Sequence, residues 1–275
     1  VIDTHCHLTF PDFAGRIDDE LAEAARMGVT GCITISTTSE DCLDALAVAR
    51  RHSNVWCTAG IHPLYADKVG PTGRHLWANL AAVAADPRCV GWGELGLDNH
   101  YDHPTAALQR EVLDEQLAFI QACEAAAGEA AGPVAAPGCR KPIVLHCREA
   151  FDDLIPVLAR SGLDPGRFVF HCFTGSPSDM RKVLDFGAMV SFTGVVTYRN
   201  AAEVREAARL PPDDRLMVET DAPFLSPEPH RGRRPCRPAW ARHVAETLAA
   251  LRAVSFEALH EALNRNTRRF FGVPA

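Results

Sequence analysis

The chain has 275 residues, 28 basic against 35 acidic side chains, a net charge of −7 and 47% hydrophobic residues. Such a chain fits one large α/β domain that buries roughly three quarters of its unfolded surface and needs no staples. The acidic balance excludes a protein that coats nucleic acid through a broad basic face. It leaves room for an enzyme that grips a strand end, where bound cations supply local positive charge.

The ten cysteines form no regular framework and no CxxC pair, so they read as reduced thiols. No apolar run reaches the ~18 residues of a membrane span. Residues 1–7 read as a strand rather than a leader. An intracellular, cytoplasmic protein without membrane contact is expected.

In chain order, short β-prone apolar runs at 1–7, 29–36, 54–61, 89–94, 142–146, 168–171, 188–192 and 216–219 alternate with helical patterns. Gly28 closes the first helix, and Thr38 or Ser39 caps the next, whose apolar face carries Leu43 and Leu46. Leu113, Leu117 and Ile120 mark one face of a longer helix; Val244, Leu248 and Leu251 mark another. Ser255 caps a last helix running through Leu263. Eight strand–helix units in one domain predict a TIM-type (β/α)₈ barrel over residues 1–275, and no G-x-G-x-x-G turn supports an open doubly wound sheet. Two stretches look irregular. Residues 128–141 (GEAAGPVAAPGCRK) read as a flexible surface excursion, and 226–238 (SPEPHRGRRPCRP) as a proline-studded loop carrying four arginines.

The chemistry gathers at strand ends. His5 and His7, two apart on the first strand, share a face that in a barrel is the interior near the C-terminal mouth. Glu94 ends strand 4, His146 strand 5, His171 strand 6, and Glu219-Thr220-Asp221 strand 8. A carboxylate there is costly unless it is paired or ligates a cation, so six such residues on one rim predict a metal site. Four imidazoles and two carboxylates exceed the needs of one tetrahedral ion with an open position, so two divalent cations (Mg²⁺, Mn²⁺ or Zn²⁺) are expected. Glu94 is placed to bridge them, with His5 and His7 on one ion and His146 and His171 on the other. Asp221 is left to ligate and to orient or deprotonate water. His62, after strand 3, and Arg148, after His146, are candidates for contact with a substrate phosphate, and the arginines at 231–237 for a phosphate-binding lip. Cys6, Cys147 and Cys172 each sit one residue from a histidine ligand, and strand alternation points them away from the axis. His52, His75, His243 and His260 read as surface or packing residues.

Six ordered motifs carry a resemblance across nearly the whole chain: IDTHCHL at 2–8, GIHP at 60–63, GELGLD at 93–98, LHCREA at 145–150, HCFTG at 171–175 and ETDAP at 219–223. The chain resembles the TatD family of metal-dependent hydrolases within the amidohydrolase superfamily. The resemblance implies a TIM-type barrel, two divalent ions on His5, His7, Glu94, His146, His171 and Asp221, and DNase activity, often 3′–5′ exonucleolytic and Mg²⁺-supported. Phosphotriesterase-like relatives usually place a carbamylated lysine where Glu94 stands. Two features depart from the family pattern. The 128–141 segment is longer than usual, and Pro235-Cys236-Arg237-Pro238 replaces the family's Asn-Glu-Pro-like step. The expected activity is hydrolysis of DNA at a strand end; the rivals are hydrolysis of an ester or aminoacyl linkage, and a barrel kept for binding alone.

Overall fold

Each of the eight apolar runs forms a strand, and each strand pairs in parallel with the next. In the computed structural model, which describes residues 1–68, 77–131 and 140–274 (for 127–131 the backbone only), the order is β1 Ile2–Cys6, β2 Gly31–Thr34, β3 Val55–Ala59, β4 Cys89–Asp98, β5 Ile143–Arg148, β6 Phe168–Phe170, β7 Met189–Phe192 and β8 Leu216–Val218. The ring closes where Cys6 bridges Ala222, with His7 N–H donating to Ala222 O (2.7 Å) and Asp221 N–H to His5 O (2.8 Å). That one bridge, beyond the end of β8, nearly closes the eight-stranded sheet into a barrel.

The helices are α1 Ile17–Arg26, α2 Asp41–Arg51, α3 Trp77–Ala84, α4 Ala106–Ala131, α5 Phe151–Arg160, α6 Pro177–Phe186, α7 Ala202–Ala207, α8 Ala241–Arg252 and α9 Phe256–Phe271. Their apolar faces pack on the outside of the sheet: Leu113, Leu117, Ile120, Val244 and Leu248 are all buried there. Each such side chain removed from water contributes roughly 1.5–3 kcal/mol. The expected end signals hold at Gly28, which takes φ +79° after α1, at Thr38, whose hydroxyl accepts the Asp41 N–H (3.1 Å), and at Ser255, which accepts the Ala258 N–H (3.2 Å). Leu43 does not join the core of α2: it is 45% exposed, and Cys42, Ala45 and Leu46 form the buried face instead.

A second apolar cluster fills the N-terminal end of the barrel. Ile2, Ile33, Trp56, Val90, Val144, Val169, Met189 and Met217, one from each strand, meet there under Phe271 and Val273. This plug leaves the opposite end of the barrel for polar chemistry.

Three boundaries differ from the sequence reading. The helix expected to stop before residue 128 continues to Ala131, because alanine propagates a helix well enough to absorb one glycine. Residues 132–139 of the predicted excursion, and His75, lie outside the described residues. Strands 4 and 5 do not end at Glu94 and His146 but continue to Asp98 and Arg148. The cause is a bulge: β4 pairs Trp92 with Ile143 but Leu95 with Leu145, so two β4 residues oppose Val144 alone. Glycine makes the bulge possible. A Cβ on Gly93 (φ +125°) would lie 2.6 Å from Val144 O, and one on Gly96 (φ +150°) 1.9 Å from His146 O.

Candidate metal centre

The C-terminal mouth opens into a cavity of about 1010 Å³, and its floor is a cluster of buried imidazoles and carboxylates. It is assembled from the backbone upward. On β1 the register slips by one residue between Asp3 and Cys6, which leaves His5 and His7 facing the interior while Cys6 packs in the outer layer. Asp3 accepts the backbone N–H (2.9 Å) and hydroxyl (2.6 Å) of Thr220 and the backbone N–H of His5 (3.3 Å). That one carboxylate ties the end of β1 to the turn presenting Asp221, whose own backbone is left-handed at φ +57°. Burial raises the Asp3 carboxyl to about 8, although its Thr220 and His5 donors pull the other way.

Glu94 stands at the centre. Its Oε2 lies 3.2 Å from His5 Nε2, while its Oε1 lies 2.7 Å from His171 Nε2, 2.8 Å from His146 Nδ1 and 3.3 Å from His62 Nε2. One oxygen thus faces each half of the cluster. Burial works to raise its pKa, but the neighbouring His171, His62 and His5 hold it well below the usual carboxylate range. On the first side, His7 Nε2 lies 3.3 Å from both His5 Nε2 and Asp221 Oδ1. His7 Nδ1 donates to Ile35 O (3.0 Å), and a carbonyl can only accept, so in the neutral ring Nε2 carries the lone pair.

On the second side, His146 Nε2 meets Asp98 Oδ2 at 2.9 Å while its Nδ1 faces Glu94. This is the arrangement in which an outer carboxylate orients an imidazole whose other nitrogen is free to ligate. His62 differs. Its Nδ1 accepts the Leu64 N–H (3.0 Å), which places the proton of the neutral ring on Nε2, 3.0 Å from His146 Nδ1. Burial pushes its pKa down to about 4, so the ring is neutral and presents an N–H donor rather than a lone pair. His171 stacks on His5 (3.9 Å between ring centres) and backs onto Glu219 at 3.5 Å. Despite burial, Glu94 and Glu219 raise its pKa well above the ordinary value.

The donor set fits divalent cations. Bare imidazole nitrogens face one another at hydrogen-bond distance with carboxylate oxygens between them. His5–His7–Glu94 and His5–His171–Asp221 each bring three candidate ligand atoms within 4.8 Å, and Glu94 and His146 approach as closely beside the His62 N–H. Nitrogen and oxygen donors in this mixture suit Zn²⁺, Mn²⁺ or Mg²⁺.

All six residues expected to bind metal therefore meet at one mouth. His146 and His171 share Glu94 Oε1, at 2.8 and 2.7 Å, while His171 also stacks on His5 and His62 contacts His146. Arg148 lines the same cavity, its guanidinium 5.2 Å over the Tyr101 ring. Cys6 and Cys147 lie in the outer apolar layer as expected, although Cys147 also borders the cavity. Cys172 does not follow: β6 has ended at Phe170, Cys172 takes φ +45°, and its Sγ sits 3.4 Å from Thr193 Oγ1 beside the cavity. Alternation holds only while the chain is a strand. Three residues had no role assigned from sequence: Asp3, Asp98 and Glu219, which orient the histidines and the Asp221 turn. Their signal was present, because an acid two or four residues from a proposed ligand on a buried strand needs a partner. The remote His52, His243 and His260 stay outside the cavity, His260 Nε2 lying 2.7 Å from the Val1 amine.

Comparison with known proteins agrees with this geometry. The family model described as "TatD related DNase" matches residues 2–126 and 134–272. The chain is 34% identical to the "Uncharacterized metal-dependent hydrolase YcfH" of Escherichia coli K12, covering 100% of this chain and 97% of that protein. It is 33% identical to the "3'-5' ssDNA/RNA exonuclease TatD" of Enterobacter lignolyticus, covering 99% of each. Among solved structures, the Escherichia coli TatD homologue YjjV superposes with a TM-score of 0.86 at 30% identity, covering 99% of this chain and 98% of that one. The family match spans every carboxylate and every histidine of the cluster, and on that ground the chain belongs to the TatD-related DNase family of metal-dependent hydrolases.

Proposed function

We propose that this protein is a phosphodiesterase that shortens single-stranded nucleic acid from a 3′ end, using two divalent cations. The observation that carries the reading is the division of Glu94, with one oxygen toward His5 and the other toward His146 and His171. A single carboxylate can bridge two ions about 3.5–4 Å apart in this way. His5 and His7 would hold one ion and His146 and His171 the other, with Asp221 completing the first. Support for the substrate comes from relatives named as 3′–5′ ssDNA/RNA exonucleases at 32–33% identity over 99% of this chain.

When bound, such cations supply a water of lowered pKa and neutralise charge that develops on phosphoryl oxygens. The chain's own residues do the rest. Asp221, held below the usual carboxylate range by His7 and His5 despite burial, is ionised and can take or direct the proton of the attacking water. Asp98 and Glu219 fix the orientation of His146 and His171. Neutral His62 and the Arg148 guanidinium line the cavity where a non-bridging phosphate oxygen would lie. The described cysteines are all free thiols, which suits a cytoplasmic setting.

The test is degradation of end-labelled single-stranded DNA by chelated protein with Mg²⁺ or Mn²⁺ restored, beside Asp221→Asn. Stepwise 3′ shortening that needs both metal and Asp221 supports the reading. Metal-loaded, folded protein that cleaves carboxylic or aminoacyl esters but no DNA overturns it.

A further inference from the structure

Above the metal cluster the mouth has two walls of opposite character. In an eight-stranded barrel the loops after β1 and β8 face those after β4 and β5. The β5–β6 side presents Glu149, Asp152, Asp153 and Asp179 to the cavity, with Arg148 among them and Lys182 against Asp152 (2.7 Å) and Asp179 (3.1 Å). The β8 side carries the 226–238 loop, in which Arg231, Arg233 and Arg234 are exposed. Four carboxylates against Arg148 and Lys182 leave the first wall net negative, and the arginines against Asp12 leave the second net positive, so a polyanion is favoured along the second.

Between the arginine loop and the cluster stands a pair of aromatic rings. Phe10 stacks on His7, with ring centres 4.7 Å apart and planes 24° apart. Phe224 meets Phe10 edge-on, at 5.9 Å and 88°, and the Arg234 guanidinium lies 4.8 Å over the Phe224 ring. Asp12 holds that guanidinium at 3.3 Å. Both rings are half-buried and line the cavity, whereas Phe13, Phe168, Phe170, Phe173 and Phe192 are fully buried in the core. The fold therefore has room for phenylalanine inside, yet it keeps these two at the rim, next to a proposed metal ligand.

We propose that Phe10 and Phe224 form a stacking platform for a base flanking the scissile phosphate, and that Arg234 and its loop carry the strand's phosphates away from the acidic wall. The inference rests on the phosphodiesterase reading above and assigns the selection of unpaired ends to named residues. Every base has a π-face, so such a platform tolerates any sequence. It takes only a base that has left its own stack, so a paired duplex end cannot use it without first fraying.

The test compares kcat/KM for a single-stranded oligonucleotide carrying ordinary bases with one that is abasic at the two nucleotides flanking the first scissile phosphate. Stacking contributes enough per base that the wild type should prefer the ordinary strand by about tenfold. Phe224→Leu fills the same space without a π-face and should bring the ratio near one, whereas Phe224→Tyr should keep it. Phe10→Leu supplies a second variant that does not touch the β8 turn. A Phe224→Leu protein that still discriminates as the wild type does would overturn the platform, and so would a wild type that shortens both strands equally well. A wild type that shortens neither would fell the phosphodiesterase reading and the platform with it.

Discussion

The two ends of this barrel are built from the same eight strands and are chemically opposite. At the N-terminal end one apolar side chain from each strand packs into a plug under Phe271. At the C-terminal end His5, His7, Glu94 and His171 are nearly as deeply buried, between 0% and 5% exposed. The plug needs only shape and volume to be stable. The mouth carries groups whose burial is costly without a partner. Asp98 and the carbonyl of Ile35 supply partners for His146 and His7. The Nδ1 atoms of His5 and His171 are instead buried with no hydrogen bond among the described residues, Glu219 standing 3.5 Å from the latter. The comparison teaches that stability and chemistry are separable along the barrel axis: changes at the plug should act on folding, and changes at the mouth on metal and turnover.

The largest effect expected is at the mouth. Asp221→Asn removes the group that takes or directs the proton and should lower kcat by about 10²–10⁴. The melting temperature should hardly move; a comparable loss of stability would collapse the distinction between the two ends. Conversely, Met217→Ala, fully buried in the plug, should cost about 2–5 kcal/mol in urea unfolding. Its metal affinity and KM should stay at wild-type values. A plug variant that loses metal in its folded state would show that the two ends are coupled.

A finer test lies one layer behind the ligands. Asp98→Asn keeps the size of the group that meets His146 Nε2 at 2.9 Å but removes its charge. Metal affinity should fall about 10–100-fold, as measured by competition with a chromophoric chelator, and unchanged affinity would leave Asp98 with no orienting role. The smallest effect sits at the start of α6, where Ser176 and Asp179 form a capping box. Asp179 is held below its ordinary value: burial opposes this, but the Ser176 hydroxyl and N–H and the Lys182 ammonium prevail. A depressed folded pKa gives stability that is present above the unfolded value of 3.8 and is lost as pH falls through the folded one. Asp179→Asn should therefore cost about 1 kcal/mol at neutral pH. The difference should shrink as pH falls from about 5 to about 2, and a gap independent of pH would refute the charge argument.

Much of this was legible in the sequence because the barrel repeats a simple pattern. Eight β-branched or apolar runs between helical segments are enough to count the strands, and ligand-type residues at their C-terminal ends locate the mouth. The bulge in β4 was not legible, because it depends on how closely three backbones approach at Gly60, Gly93 and Val144, where a Cβ on Gly60 would lie 2.5 Å from Gly93. The same holds for Cys172, whose direction is set by a left-handed φ rather than by strand alternation. His62 was expected at the rim, and its place beside His146 follows from the path of the loop after β3, which carries no periodic signal. Asp3, Asp98 and Glu219 stand two or four residues from a ligand in sequence, but which group each one holds follows only from their burial and their hydrogen bonds.

The central claim is that Glu94 is shared between two cation sites. It is tested most directly by the number of metal ions bound per chain, measured by equilibrium dialysis and elemental analysis on wild type, His146→Ala and Glu94→Gln. Two ions in the wild type, one in His146→Ala, and weakened binding at both sites in Glu94→Gln are expected. A single ion in the wild type, or an unchanged count in His146→Ala, would contradict it.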